Sequence, residues 1–454
     1  MKIAIIGAGP TGLTIAHQLT KNNIEVDIYD NAKDVGGFAK SIELWGQTVE
    51  IGPHFLSIGK LPSVKALILE SIDGNYKVYK RKTFVLTKNK IFSYPPSAGD
   101  IIKKLNIFQL ATVALGILKQ SLFPQKNNGT AETFVKNHLG GYLYKYFFEN
   151  FSIKLWGVSG GQISDIFAKS LLGFSKGFSP IKILYNKTRK TTATEDIYIY
   201  PNGGLSTLWD AMKIQIEERG GKFLLSSQIM SLSCPETNPN LITHVNLIDG
   251  TVTAYDYFIS TIPIVPFLQY FSNGITDNHK PKFSIKFRSD VLLYMKVKYD
   301  SVKDGQCFYI YADDIKITRI TNFNKFDGSK ARPFTIILLE FWCSKEDAVW
   351  KIEKAELLNF AEVQLGKTDI FIGLEILDVA VKKVESAFQV PDMDYLSNRD
   401  HLFSQLSPYK NLMVTGRNAS VNFNYGMENA IDDGINLANE LMAKKRHIPE
   451  VEEI

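Results

Sequence analysis

The feature that most constrains this chain is a glycine-rich loop that directly follows a short apolar run. Lys2 to Ile6 form the run, and Gly7, Gly9 and Gly12 follow it with the spacing Gly-x-Gly-x-x-Gly. In such a loop the first glycine permits a tight turn, the second lets the backbone approach a pyrophosphate, and the third lets helix and strand pack closely. The spacing therefore predicts a strand, a phosphate-binding turn and a helix whose N-terminus faces the anion.

A carboxylate stands where the second strand of such a unit would end. The stretch Ile24 to Tyr29 alternates apolar and polar residues, and Asp30 follows it, eighteen positions after Gly12. A carboxylate at this point accepts hydrogen bonds from a ribose and repels a 2′-phosphate, which argues against NADP. The glycine pattern alone is a weak signal, but strand, helix and acid in register predict a dinucleotide site.

The α/β character of the first residues returns in the middle and at the end of the chain. A length of 454 residues is more than one ordinary core accommodates, so we expect two domains. We expect one dinucleotide-binding domain made of residues 1–75, 195–283 and 395–454. A second domain, which would bind or cover the substrate, comprises residues 76–194 and 284–394.

The charge balance does not indicate a nucleic-acid partner. Lysine and arginine together number 52 against 47 acidic residues, and the surplus is thinly spread. The three cysteines, Cys234, Cys307 and Cys343, are far apart and lack metal-ligand spacing. We therefore expect no metal site and a cytoplasmic location, where thiols stay reduced.

One apolar segment raises the question of membrane contact. It runs from Ile107 to Leu118 and is shorter than the ~20 apolar residues needed to span a bilayer. Lys103, Lys104 and Lys119 flank it, which is also typical of a helix that lies at a membrane surface. We expect a buried or domain-covering helix, with membrane contact as the less favoured alternative.

Several later segments keep the order of motifs found in one superfamily. They are Asp34–Ser41, Tyr200–Leu205, Thr251–Pro263, Thr415–Asn418 and Gly426–Ile431. Together with the first loop they resemble the flavin-containing amine-oxidase superfamily, which includes the protoporphyrinogen oxidases. The resemblance implies that the cofactor is FAD and that the second glycine pair lies along it. It also implies that the last helix points its N-terminus at the flavin or the pyrophosphate.

The resemblance defines a fold class and a set of cofactor residues. The expected fold is α/β, a Rossmann-type FAD-binding domain assembled from discontinuous segments, with an inserted α+β substrate domain. In the superfamily a basic or small residue usually follows the second glycine pair, whereas Phe38 stands here and the basic residue is Lys40. The residues expected to bind FAD are Gly7, Gly9, Pro10, Thr11, Gly12, Asp30, Gly36, Gly37, Lys40, Gly416, Arg417 and Met427.

A further group of segments is similar to one branch of the superfamily. The segments are Gly52–His54, Tyr94–Pro96, Phe147–Phe151, Lys154–Val158 and Phe287–Ser289. They resemble the UDP-galactopyranose mutases and related flavoproteins of bacterial glycan pathways. The resemblance implies a nucleotide sugar or glycan precursor as substrate, reduced flavin as reactant and an electron donor as partner. The chain departs from the mutases in having Val421 and Phe423 where tyrosines are usual, so that only Tyr425 remains.

Protein-borne catalytic motifs are absent from the sequence, as expected where a cofactor carries the chemistry. A mutase-like substrate needs guanidinium groups to bind its diphosphate. Arg288 and Arg319 are the candidates, with an ion-pair role as the alternative for each. The resemblance implies that Arg417 lies against the flavin. It also implies that His54 can hydrogen-bond near the N5 atom of the flavin, with a purely structural role as the alternative for His54. The alternative function is an FAD-dependent oxidoreductase that removes a hydride from a small substrate.

Overall fold

The computed structural model describes residues 1–59, 61–172, 197–271, 283–326 and 333–446. In these residues the helices are α1 Pro10–Lys21, α2 Pro62–Ile72, α3 Ala98–Lys104, α4 Ile107–Leu122, α5 Ala131–Leu143, α6 Glu149–Trp156, α7 Asp165–Leu172, α8 Ser206–Glu218, α9 Ile264–Leu268, α10 Ala348–Lys351, α11 Lys354–Gly366, α12 Tyr395–Ser404 and α13 Met427–Arg446. The strands are β1 Lys2–Ile6, β2 Glu25–Tyr29, β3 Ser41–Leu44, β4 Gln47–Glu50, β5 Leu56–Ser57, β6 Tyr76–Lys80, β7 Thr83–Thr87, β8 Lys90–Ser93, β9 Ile197–Pro201, β10 Lys222–Leu224, β11 Ile229–Ser233, β12 His244–Leu247, β13 Val252–Ala254, β14 Tyr257–Ser260, β15 Phe287–Lys298, β16 Ser301–Val302, β17 Cys307–Ile310, β18 Arg319–Asn322, β19 Thr335–Cys343, β20 Phe371–Ile372, β21 Glu375–Gln389 and β22 Leu412–Val414. A π-helical turn, Tyr144–Phe148, joins α5 to α6.

A five-stranded parallel sheet carries the glycine-rich loop at the carboxyl end of its central strand. Its order is β10-β2-β1-β14-β22, so it combines strands from three distant parts of the chain. All of its neighbouring pairs are parallel. Strands β1 and β2 are buried apart from their first residues, as expected for a parallel sheet that is covered on both faces. The predicted α/β class and its assembly from discontinuous segments are therefore confirmed.

Alternate residues of the central strand pack into different layers, because side chains of a strand alternate between the two faces. Ile3 and Ile5 belong to the core formed with Leu13 of α1, Leu208 of α8 and Ile431 of α13. On the other face, Ala4 and Ile6 belong to the core that includes residues of β11 and β12. The three-stranded antiparallel sheet β11-β12-β13 therefore covers one face and helices cover the other.

A seven-stranded mixed sheet is formed by residues of the predicted second domain. Its order is β21-β15-β19-β18-β17-β7-β8. Strands β7 and β8 come from the first predicted insert and the other five from the second, so the sheet joins two parts of the chain that are more than 190 residues apart. The pair β17–β7 is parallel, and the other neighbouring pairs are antiparallel.

The two faces of this sheet differ in chemistry. Val291, Leu293, Ile337 and Leu339 pack in a closed apolar core with the α11 residue Leu357. The alternate residues form the opposite face, which is polar and aromatic and meets the loop after β4. Its members include Asp290, Tyr294, Tyr309, Arg319, Glu340 and Trp342.

Strand β6, Tyr76–Lys80, begins the predicted second domain but belongs to a sheet of the predicted first domain. It pairs with β9, which in turn pairs with β5, so this small sheet combines residues from both predicted domains. Residues 173–194 of the predicted second domain lie outside the described residues. The exact domain boundaries remain a prediction.

Helix α4 differs from the expectation of a buried or domain-covering helix. None of its residues is buried, and Phe108 and Leu115 are 80% and 67% exposed. The helix packs on α5 through its other side only, where a Cβ on Gly140 would lie 3.1 Å from the Gly116 carbonyl carbon. Across the described ranges, no helix combines the length and apolar character required to cross a membrane.

The apolar face of the seven-stranded sheet yields a stability prediction. Leu339 is fully buried between β19 and α11, so Leu339→Ala should lower the free energy of unfolding by about 2–5 kcal/mol through the cavity that it leaves. Leu377→Ala on β21 is the control, because Leu377 is 39% exposed and should lose much less. Urea unfolding followed by circular dichroism measures both. Equal losses would contradict the assignment of this face as core.

Candidate cofactor and substrate site

Glycine stands at each of the three positions of the first loop for a different structural reason. Gly7 has φ +112°, and a Cβ there would lie 2.3 Å from Thr261 Oγ1. A Cβ on Gly12 would lie 2.0 Å from the carbonyl oxygen of Gly7. At Gly9, by contrast, a Cβ would meet no atom within 4 Å and φ is −78°, so the packing of the chain does not require glycine there. A ligand that approaches the backbone closely at this position would require glycine there.

The N-terminus of α1 offers donors at the same place. Gly9 is the N-cap residue and supplies no side-chain hydrogen bond, and Pro10 occupies the first helical position, where no N–H is needed. The N–H groups of the following residues, Thr11 and Gly12, belong to the first turn, where backbone donors have no partner within the helix. Together with the helix dipole they suit a phosphate.

Asp30 is held in position by the same loop. Its Oδ2 accepts a hydrogen bond from the N–H of Ala8 at 2.8 Å, and its Oδ1 accepts one from the N–H of Ala32 at 2.8 Å. Each carboxylate oxygen keeps a second lone pair. The side chain can therefore orient the loop and still accept a hydrogen bond from a ribose hydroxyl.

The second glycine pair lies against the first loop. The N–H of Gly36 donates to the carbonyl oxygen of Ala8 at 2.8 Å. A Cβ on Gly37 would lie 3.4 Å from the Cα of Gly9, so the two segments touch at the residue that the packing leaves open. Lys40 Nζ lies 3.6 Å from Asp34 Oδ2, which directs the lysine to its own loop rather than to Gly9.

The C-terminal segment reaches the loop from the other side. A Cβ on Gly416 would lie 3.0 Å from Thr11 Oγ1. The Tyr425 hydroxyl donates to Asp433 Oδ2 at 2.5 Å, and this contact ties the segment before α13 to that helix. Met427 begins α13 and packs against the main core. Three glycine segments that are distant in sequence therefore meet around one helix N-terminus.

His54 is a neutral histidine with a defined tautomer. Its Nε2 lies 2.9 Å from the carbonyl oxygen of Phe38 and 3.2 Å from that of Ile51. Because both partners only accept, Nε2 carries the proton and Nδ1 is an acceptor. Burial, with the nearby charges of Arg417 and Arg319, lowers the pKa of His54 to about 4. At neutral pH it therefore carries no charge.

Arg319 is committed to a buried carboxylate. Its Nε and Nη2 each donate to an oxygen of Glu340 at 2.5 Å, and its Nη1 donates to the Tyr309 hydroxyl at 3.2 Å. Burial and the neighbouring Glu340 raise the pKa of Asp290 well above its usual range. A Cβ on Gly52 would lie 3.6 Å from Arg319 Nη2, so the loop that carries His54 covers this group.

Arg417 differs from the other two predicted arginines. No ion pair of its guanidinium occurs within the described ranges, and its Cζ lies 5.6 Å from the ring centre of Phe388. Burial and the charge of Arg319 lower the pKa of Arg417. Part of the side chain is nevertheless exposed to solvent.

Arg288 makes structural contacts. Its Nη2 donates to the carbonyl oxygen of Trp342 at 2.9 Å, and its Nη1 donates to Ser344 Oγ at 2.6 Å with Asp347 at 3.5 Å. A Cβ on Gly157 would lie 2.7 Å from Nη1, so the guanidinium also packs on the end of α6. Of the three arginines, Arg417 is therefore the one with donors to spare.

Sequence reasoning missed an aromatic and cationic group beside Arg319. Tyr94 stacks on Tyr309 with ring centres 4.7 Å apart. Arg81 lies with its Cζ 4.2 Å from the ring centre of Phe55 and 5.6 Å from that of Tyr94. The only sequence signal for Arg81 is that it is one of nine arginines in the chain.

Of the two residues that depart from the mutase pattern, Phe423 has a packing role, whereas Val421 is exposed. Phe423 contacts Trp156, Phe167 and Tyr395, with ring centres 5.2–6.4 Å apart. Trp156 is buried in the same cluster. These aromatic residues hold the segment after Arg417 against α6 and α7. Among the described residues, no cluster of histidine, cysteine and carboxylate side chains could hold a metal ion.

The sequence matches one family model over part of its length and is similar to characterised proteins. A family model described as an NAD(P)-binding Rossmann-like domain matches residues 5–70. The coproporphyrinogen III oxidase of Staphylococcus aureus is 22% identical over 364 residues, which are 73% of this chain and 75% of that protein.

The fold matches solved structures over nearly the whole chain. Reduced UDP-galactopyranose mutase superposes with a TM-score of 0.79 at 18% identity, over 98% of this chain and 96% of that one. Putrescine oxidase bound to putrescine superposes with a TM-score of 0.64 at 12% identity, over 97% of this chain and 99% of that one. The resemblance predicted from the sequence is thereby confirmed, and the chain has the fold of the flavin-containing amine-oxidase superfamily.

Proposed function

We propose that this protein is an FAD-dependent enzyme that binds an anionic nucleotide sugar and catalyses a reaction of the UDP-galactopyranose mutase type. The observation that carries the proposal is the position of Arg417. Its neighbour Gly416 touches Thr11 at the start of α1, and its own side chain is exposed and lies near enough to His54 and Arg319 for its charge to act on both. One segment therefore connects the cofactor loop to a cation that can bind substrate.

The residues around Gly9 suit the dinucleotide part of FAD. The open space at Gly9 and the first turn of α1 would take the pyrophosphate, and Asp30 would take the adenosine ribose. Gly37 and Gly416 would flank the cofactor, because a side chain at either position would crowd the loop. Bound FAD would supply the two-electron chemistry that the side chains of the protein do not offer.

The side chains beside the cleft bind and orient the substrate. Arg417 would donate hydrogen bonds to a diphosphate in the bidentate manner typical of guanidinium groups. Arg319 is paired with Glu340 and donates to the Tyr309 hydroxyl, so it orients that side chain. His54 is neutral and presents Nδ1 as an acceptor, so it can hold a hydroxyl or N–H group without adding charge.

The charge of the cleft favours an anionic substrate over an amine. Arg81, Arg319 and Arg417 lie on this side of the molecule, and only Arg319 has a carboxylate partner within the described ranges. A cationic amine would meet charges of its own sign, which costs free energy in a cleft of low dielectric constant. An amine-oxidase activity is therefore disfavoured.

A second candidate function rests on a separate observation. The coproporphyrinogen III oxidase of Staphylococcus aureus aligns with 73% of this chain, and its substrate class would also bear carboxylates. In that case the protein would be an FAD-dependent oxidoreductase that removes hydride from an anionic substrate. The mutase-type reaction is preferred because the likeness to the mutase structure extends over 98% of the chain with a TM-score of 0.79.

The role of Gly9 can be tested by adding a side chain. Gly9→Val should lower FAD occupancy by about tenfold or more, because the new side chain projects into the space assigned to the pyrophosphate. The unfolding free energy should fall by no more than about 1 kcal/mol, the cost of a poorer N-cap. The visible flavin absorbance relative to protein absorbance measures occupancy. Gly366→Val is the matched control, since a Cβ there also meets no atom within 4 Å. Wild-type flavin content in Gly9→Val would contradict the assignment.

The substrate role of Arg417 can be tested by titration with UDP. Arg417→Met should raise the Kd for UDP by about 10- to 100-fold through the loss of charge-assisted hydrogen bonds. The unfolding free energy should stay near wild type, because no ion pair within the described ranges is broken. Arg219→Met, at an exposed arginine that follows α8, is the control.

Arg288→Met provides the contrast to Arg417→Met. It should destabilise the fold, because the carbonyl oxygen of Trp342 and the Ser344 hydroxyl lose their donor, and should leave UDP affinity nearly unchanged. If Arg288→Met weakened UDP binding and Arg417→Met did not, the two roles would have to be exchanged.

The reaction class can be tested under anaerobic conditions with UDP-sugars. A mutase-type enzyme should form a ring-size isomer after reduction with dithionite and not before, with no net consumption of electrons. The isomer is detected by chromatography. Oxygen consumption with a porphyrinogen, without any isomer from UDP-sugars, would instead support the oxidoreductase and overturn the mutase assignment.

A further inference from the structure

The solvent-facing side of α4 is unusually apolar. Of the 20 large hydrophobic side chains that are exposed among the described residues, seven lie between residues 102 and 123. Within α4, four of them form an apolar stripe, defined as Phe108, Leu115, Leu118 and Leu122, which are 55–80% exposed. At about 100° per residue, these four lie within about 80° of one another on the helix surface.

The opposite side of α4 holds the helix to the protein. Leu110 and Val113 pack against a cluster that contains Phe92, Tyr146 and Phe147. The close approach of Gly116 and Gly140 fixes α4 on α5. The apolar stripe therefore belongs to a helix that is already fully anchored, and the fold does not use the stripe as core.

The charges around the stripe all have the same sign. Between residues 101 and 131 there are four lysines and no aspartate or glutamate. Lys104 is paired with Asp100 at 3.0 Å. Lys103, Lys119 and Lys126 are exposed, and none forms an ion pair in the part of the chain that the structure describes.

We propose that α4 lies in the plane of an anionic phospholipid surface, with the apolar stripe inserted at the boundary of the acyl chains. Lys103, Lys119 and Lys126 would then lie among the headgroups. An amphipathic helix with apolar residues on one side and lysines at its edges is typical of this mode of binding. This inference is independent of the proposed reaction, because it rests on residues far in sequence from the cofactor loop.

The helix is too short to span a bilayer and lies flat instead. Its 16 residues extend about 24 Å, whereas a spanning helix needs ~20 apolar residues. A second copy of the chain is a poorer occupant than a lipid surface. Two such segments would bring their lysines together without any acidic residue to offset them, whereas anionic headgroups supply the opposite charge.

The test is co-sedimentation of the full-length, FAD-loaded protein with vesicles. One set contains equal amounts of phosphatidylcholine and phosphatidylglycerol, and the other contains phosphatidylcholine alone. The wild-type protein should pellet with the anionic vesicles, and added salt should weaken the binding. The double variant L115E/L118E should lower the partition coefficient by about tenfold or more, since two inserted leucines are lost. Each of Lys103→Gln and Lys119→Gln should lower it by about fivefold.

Val363→Glu is the matched control. Val363 is 63% exposed on helix α11, outside the stripe, so this variant should pellet like the wild type. The thermal midpoint of each variant shows that it is folded. Equal pelleting of L115E/L118E and the wild type would overturn the proposal, as would failure of the wild type to bind anionic vesicles. A concentration-dependent dimer that L115E/L118E disperses, without vesicle binding, would assign the stripe to a second copy.

Discussion

The cofactor side of the molecule depends on one backbone contact. The carbonyl oxygen of Gly7 lies only 2.0 Å from the point where a Cβ of residue 12 would stand, so helix α1 can begin immediately beyond strand β1. Because α1 begins there, its free N–H groups point into the space that Gly37 and Gly416 also border. The parallel sheet then gathers strands from three parts of the chain around this one turn.

The parts of the site that follow from local backbone chemistry could be predicted from the sequence. A glycine spacing followed by Asp30 is informative because a phosphate-binding turn and a ribose-binding carboxylate require these residue types at these positions. The partners of the arginines could not be predicted in this way. Arg288 donates to Trp342 and Ser344, and Arg319 donates to Glu340, because the register of the seven-stranded sheet brings these residues together. Arg417 is left with free donors.

The same limit applies to the surface of the molecule. An apolar helical segment at residues 107–118 predicts burial, because apolar side chains usually pack inside a protein. Two glycines, Gly116 and Gly140, instead let α4 rest on α5 through one side and turn its stripe outward. The two faces of the seven-stranded sheet also have different roles. Its apolar face packs against α11, and its polar face lines the candidate site.

The central claim is that one cleft receives FAD on the side of Gly9 and an anionic substrate on the side of Arg417. A crystal structure of the protein with FAD and UDP bound tests it most directly. We predict that the FAD pyrophosphate lies within hydrogen-bonding distance of the N–H groups of Thr11 and Gly12, and that the UDP diphosphate contacts the Arg417 guanidinium. A flavin bound away from Gly9, or a diphosphate bound away from Arg417, would contradict the claim.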